Sequence, residues 1–305
     1  MPPDVEAARE AAALHPRSAL HALEHGRALL AAEQLPDAIA ELQRALRLDY
    51  TLADARFVLG CAWLEAGEAD KALEAFDHLE EDEETAPRIA AARAMKAQQR
   101  SDAGYVRHLF DQFAADYDQR MIGQLGYAAP QILRELADMV MPGRDSLSIL
   151  DLGCGTGLTG VAFEDLAYRL DGIDLSPAMI EKARARNLYD HLAVADIETT
   201  LAGEGVSYDL VLAADTLVYL GDLEPIFASV HGRMKPDGFF LFTVEANADS
   251  GFELGPKRRW RHSELYLRDL AEASGLEVAG FVACAPRHEA NVAVEGFAVA
   301  LSRKP

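Results

Sequence analysis

Cysteine is scarce: Cys61, Cys154 and Cys284 are the only three in 305 residues, and none is spaced as a pair. A disulfide framework and a thiolate metal site are therefore excluded, and no metal site is expected; a reducing, cytoplasmic setting fits best. Basic residues are also short, 29 Lys and Arg against 50 Asp and Glu, for a formal net charge of −21. The acid excess runs through the first hundred residues and the remainder alike, and such a field repels polyphosphate, so nucleic acid is not an expected partner. Nowhere does an unbroken apolar run reach the roughly 18 residues that a membrane span needs. The opening MPPDVEAAREAAALHP has no basic segment leading into an apolar core, so neither membrane insertion nor secretion is expected.

What is present supports two domains with substantial cores, since half of the residues are hydrophobic. The first hundred residues repeat. Gly26 pairs with Gly60, Leu29 with Trp63, Ala38 with Ala72 and Leu42 with Phe76, each pair one period of 34 residues apart. Small residues where two helices approach, bulky ones beside them, and turn signals at 34–37 and 66–68 imply two helical hairpins over about residues 20–86. This resembles tetratricopeptide repeats, with residues 88–99 as a capping helix. So short an array is expected to be a scaffold, a lid or a homodimer element; a groove for a protein partner is the sharper alternative.

From Leu147 onward, β-rich runs alternate with helical patterns: SILDLG (148–153), YRLDGIDL (168–175), HLAVAD (191–196), YDLVLAAD (208–215) and GFFLFTVE (238–245). That alternation means parallel βαβ units. LEVAGFVAC (276–284) and VEGFAVALS (294–302) follow with only APRHEANVA between them, which makes them a terminal antiparallel hairpin. The expected organisation is a helical repeat domain over 1–100, a helical cap over 101–141 with a break at 126–130, and an α/β catalytic domain over 142–305.

ILDLGCGTGLTG (149–160) sets a strand, an acid and three alternating glycines before a helix start, so that backbone can contact a ligand. Residues 155–160 also satisfy the G-x-G-x-x-G fingerprint of nicotinamide dinucleotides. Asp151 at the strand end would repel a pyrophosphate but suit an amino acid's ammonium. Asp174 ends the second run, where an acid can accept both ribose hydroxyls. Asp196 ends the third, placed for an adenine amino group. Any one of these acids could simply cap the next helix.

On these residues the chain resembles the class I S-adenosylmethionine-dependent methyltransferases. Through YVRHLFDQFAADYD, LDLGCGTGLTG and AADTLVYLGDL it is similar to the bacterial tetratricopeptide-repeat methyltransferases. The resemblance implies a Rossmann-like seven-stranded sheet and S-adenosylmethionine as cofactor. It further implies that Gly153, Gly155 and Gly157 wrap the methionine moiety, Asp151 supports its ammonium and Asp174 holds the ribose. Asp196 and Ile197 would bracket the adenine with Met179 against its face, while Ala214 and Asp215 line the pocket near the methyl and Tyr117 points at the cofactor carboxylate. Met179 packs in the core on either reading, since SPAMIEKA buries a face in any case, and for Tyr117 plain core packing is an equal competitor.

Methyl transfer is an in-line displacement that needs alignment, exclusion of water and, for some acceptors, a base. Candidate catalytic groups are Asp215, Tyr219, Glu245, the cluster Arg259, Arg261, His262 and Tyr266, and finally Arg287 and His288. Asp215 lacks the proline pair of base methylases. KRRWRH (257–262) is either a solvated lead into the helix that follows, with His262 or Ser263 as N-cap, or an anion clamp with Arg259 or Arg261 pairing a substrate carboxylate and His262 as base. The acceptor expected is a small molecule. Protein methylation through the repeats, non-catalytic cofactor binding and nicotinamide-dependent oxidoreduction are the alternatives.

Overall fold

The computed structural model describes residues 5–303 except 33, 98–99, 124, 204, 256–257 and 290–291. Gln98 and Gln99 of the expected capping helix, and Lys257 of the basic stretch, lie outside the described residues. The chain divides into two compact units, residues 1–98 and 99–305.

The first unit is a chain of helices, α1 (Val5–Leu14), α2 (Ala19–Ala31), α3 (Leu35–Leu48), α4 (Ala53–Glu65), α5 (Ala69–Phe76) and α6 (Thr85–Ala97), each packed on the next. Ser18 caps α2 by accepting from His21 N, and a proline sits in the first turn of α3. The 34-residue period reappears as geometry. A Cβ on Gly26 would lie 2.7 Å from Leu42, and one on Gly60 would lie 2.3 Å from the Phe76 ring, so each hairpin closes through the same glycine contact. The turns match too: Gln34 N donates to Leu29 O at 2.9 Å, and Glu68 N to Trp63 O at 2.7 Å, with Gly67 at φ 68°.

The second unit opens with α7 (Ala103–Phe113), α8 (Tyr117–Gly123) and α9 (Ala129–Val140). Alternation follows: β1 (Leu147–Leu152), α10 (Leu158–Phe163), β2 (Ala167–Asp174), α11 (Pro177–Ala185), β3 (His191–Val194), α12 (Ile197–Ala202), β4 (Tyr208–Ala213), α13 (Glu224–Arg233) and β5 (Met234–Ala246). After β5 come β6 (Phe252–Leu254), β7 (Trp260–His262), α14 (Glu264–Ala273), β8 (Leu276–Cys284), β9 (His288–Glu289), β10 (Val292–Ala293) and β11 (Gly296–Arg303). The main sheet runs β3-β2-β1-β4-β5-β11-β8, parallel except for β11, which is antiparallel to both neighbours.

The seven expected strands form the path of this sheet, and among the described residues two further strands bring it to nine. The short β6 and β7 extend it beside the end of β5, with Glu245 opposite Arg261 and Ala246 opposite His262. The connection before β11 also holds a small β9–β10 ladder of its own. β1 is buried along its whole length because helices cover both faces, with Leu133 and Phe163 on one side and Ile226 and Phe227 on the other. Strand order reverses between β1 and β4, and the crevice at their carboxyl ends is where such sheets bind ligands. Among the described residues, no helix is long and apolar enough to cross a membrane.

Candidate active site

That crevice holds a cavity of about 840 Å³, its open mouth included, with the glycine loop, the ends of β2 and β4, and the cap helices as walls. Gly153, Gly155 and Gly157 have φ of 67°, 54° and 88°, the left-handed region that favours glycine. A Cβ on Gly153 would come within 2.5 Å of Thr216, whereas Gly155 faces open space. The loop is tied to the next strand: Gly155 N donates to Asp174 Oδ2 at 2.9 Å, and Ser176 N donates to Oδ1 at 2.8 Å. Burial pushes the Asp174 carboxyl up in spite of these two donors.

The cap helices are fastened over the loop by two carboxylates. Asp111 on α7 accepts from Ser176 Oγ, and Asp118 on α8 accepts from Thr156 Oγ1 and from Arg186. Arg186 also donates from Nε to Thr156 O at 2.6 Å. Phe110 stands edge-on to Tyr117 and Tyr219, with ring centroids 6.1 and 5.6 Å away. Burial drives both phenols well above their ordinary range.

Of the expected cofactor residues, Tyr117, Gly153, Gly155, Asp174, Asp196, Ile197 and Ala214 lie on the cavity wall. Asp196 also caps α12 through Thr199 N at 3.1 Å and pairs with Arg100 at 2.6 Å. Burial raises its carboxyl, but Arg100 and Thr199 outweigh this and hold it below the usual range. Gly157 starts α10 against Arg186 and Tyr189, off the wall. Met179, on α11, is fully buried and does not line the cavity. Asp151 lies under the loop with no exposed surface; Tyr189 Oη donates to its Oδ2 at 2.7 Å, while Oδ1 has no partner. Burial pushes this carboxyl up to about 7.

The expected catalytic residues separate. Asp215 and Tyr219 line the cavity; His262, Tyr266 and Arg261 do not. His262 belongs to a strand rather than a solvated lead, because Trp260–His262 pairs with β5 and β6. Its ring is fully buried, with Nε2 2.9 Å from Gly221 O, and burial lowers it to about 4. A base reaching into the cavity is not what this ring can be. Ser263 is the cap of α14. Tyr266 Oη accepts from Leu223 N at 2.8 Å and donates to Asp222 at 3.2 Å, bracing the 220–223 loop.

Arg261 stands with Arg259, Glu245 and Glu289 around a second cavity, its closest carboxylate oxygens 3.6 and 3.9 Å away. Arg259 is committed to Glu245 and Glu289. Between the cavities, buried Arg287 donates to Asp215, Glu245 and Glu289. His288 N donates to Leu125 O at 2.7 Å. Sequence reasoning missed Arg100, Phe110, Tyr127 and Thr216 as wall residues. Among the described residues, no cluster of His, Cys, Asp and Glu could hold a metal ion.

Residues 150–240 match the methyltransferase domain family. The human methyltransferase-like protein 27 is 35% identical over 130 residues, 41% of this chain and 52% of that protein. A malonyl-[acyl-carrier protein] O-methyltransferase of Enterobacter lignolyticus is 30% identical over 152 residues, 47% of this chain and 59% of that one. The chain thus spans about half the length of the curated relatives it matches. Among solved structures, magnesium protoporphyrin IX methyltransferase from Synechocystis PCC 6803 with bound S-adenosylmethionine superposes with a TM-score of 0.52. Its identity is 17%, covering 67% of this chain and 98% of that one. Fold, glycine loop and strand-end acids agree with these likenesses: residues 150–240 match a methyltransferase domain, and the second unit has the fold of S-adenosylmethionine-dependent methyltransferases.

Proposed function

We propose that this chain transfers a methyl group from S-adenosylmethionine to a small-molecule acceptor by in-line displacement. The observation that carries the reading is Asp174. Two backbone N–H groups orient its carboxylate on the cavity wall, and each oxygen keeps a lone pair for a vicinal hydroxyl. The donor set fits the cofactor. Open space above Gly155 admits a ligand against the backbone, Ile197 supplies an apolar wall beside Asp196, and Asp151 contributes a buried carboxyl beneath the loop. When bound, the cofactor supplies an electrophilic methyl on a sulfonium. This chain's residues orient the acceptor between Phe110, Tyr117 and Tyr219 and exclude water, which is most of what a displacement requires.

Relatives' names give acceptors as different as malonyl-acyl carrier protein and magnesium protoporphyrin IX, so likeness does not choose the substrate. We read the first unit as tetratricopeptide-like hairpins serving as a scaffold or dimer element, on the strength of the paired Gly26–Leu42 and Gly60–Phe76 contacts. Calorimetric titration with S-adenosylmethionine, S-adenosylhomocysteine and NAD tests the main proposal. The first two should bind the wild type and lose affinity about 100-fold or more in Asp174→Ala, which removes two charge-assisted hydrogen bonds. Binding of NAD alone would sink it.

A further inference from the structure

Asp215 follows β4 in the left-handed region, at φ 57°, a conformation that costs a non-glycine residue energy and concentrates at functional sites. Its N–H donates to Thr243 Oγ1 at 2.8 Å, and Arg287 holds its Oδ1. No hydrogen-bond partner engages Oδ2 among the described residues, and the carboxylate lies on the cavity wall. Around it the charges are set: Arg287 serves Asp215, Glu245 and Glu289 at once, and Arg259 shares the last two. Three carboxylates thus meet two committed guanidinium groups, with Arg261 standing 3.6 Å from Glu245 on the side of the second cavity.

A further carboxylate arriving here would find a bare oxygen and no spare cation on Arg287, whereas an X–H donor would find an acceptor already aimed. The edge-on Phe110, Tyr117 and Tyr219 rings favour a flat, apolar frame behind that group.

We propose that Asp215, held by Arg287, engages the acceptor through an X–H group, so that the substrate class is a hydroxyl or amine on a flat apolar frame, not a carboxylate. This rests on the methyl-transfer reading. The acceptor oxygen or nitrogen forms its bond to the methyl carbon as the carbon–sulfur bond breaks and its electron pair goes to sulfur. The X–H proton passes to Asp215 Oδ2 and then to water. Arg287 touches no reacting atom and is a positioning residue.

The test uses the full chain saturated with S-adenosylhomocysteine and three probes built on the same flat ring, phenol, aniline and benzoate, at millimolar concentration. Failure of S-adenosylhomocysteine to bind would be seen before any probe is added and would overturn the underlying reading. With it bound, phenol and aniline should bind about tenfold or more tighter than benzoate. Asp215→Asn should invert that order by a gain of benzoate binding, which misfolding cannot mimic. Benzoate binding as tightly as phenol, binding of none of the three, or an unchanged order in Asp215→Asn would overturn the proposal. In Arg287→Lys the selectivity should fall partway, and the pH at which it collapses should move up because Asp215 loses part of its paired charge. A selectivity and pH profile identical to wild type would remove Arg287 from the account.

Discussion

Replacing Asp151 by Asn should stabilise the ligand-free protein increasingly as pH rises. The carboxyl has no exposed surface, one donor in Tyr189 and one unpartnered oxygen, and burial pushes it from the ordinary 3.8 up to about 7. The folded state therefore holds a proton that the unfolded chain releases between about pH 4 and pH 7. Native stability falls as pH rises through that window, by at most about 4 kcal/mol, and the deficit stays constant above it. Asparagine keeps the bond from Tyr189 and carries no such deficit; its unpaired amide costs about 1–3 kcal/mol at every pH. The difference between variant and wild type should thus grow by about 2.5 kcal/mol from pH 5 to pH 8. Urea unfolding reports it through Trp260 in a Trp63→Phe background, since the chain has only these two tryptophans. A difference independent of pH, or one that shrinks toward pH 8, would refute the reasoning. The same carboxyl should make S-adenosylmethionine affinity rise with pH through about 7, because the cofactor's cations favour the ionised form.

Gly60→Ala should destabilise the first unit by about 1–3 kcal/mol, read from Trp63 emission, because its methyl would press on Phe76; Phe76→Leu should restore part of the loss. Arg287→Ala strips the shared cation from Asp215 and Glu245 and should cost about 3–5 kcal/mol in unfolding experiments. The exposed Arg184→Ala should change stability by less than about 0.5 kcal/mol in the same measurement. Asp118→Asn weakens the tie between α8 and the glycine loop, and stopped-flow dissociation of S-adenosylhomocysteine should be about fivefold faster.

Legibility of the site tracked sequence distance. The glycine loop and the acids at 151, 174 and 196 were legible as candidates because each lies at or just after the end of a strand whose pattern is local. Their environments could not. Asp151 is buried by Tyr189, 38 positions on, and Asp196 is neutralised by Arg100, 96 positions back. Charge in KRRWRH suggested a solvated lead, yet residues 260–262 became a strand because the long β5 offers an edge beyond the sheet proper. His262 was buried by that pairing and lost as a base. Arg287 appeared in the sequence only as a trailing candidate, since its partner Asp215 stands 72 residues away. In the first unit the repeat was plain because one contact, glycine against a bulky residue 16 positions later, recurs at a fixed period.

A crystal structure of the full chain with S-adenosylhomocysteine tests the central claim most directly. The ribose hydroxyls should lie on Asp174, the adenine between Asp196 and Ile197, and the sulfur should turn toward Tyr219 and Asp215. Density for the ligand elsewhere, or a ribose that does not touch Asp174, would contradict it.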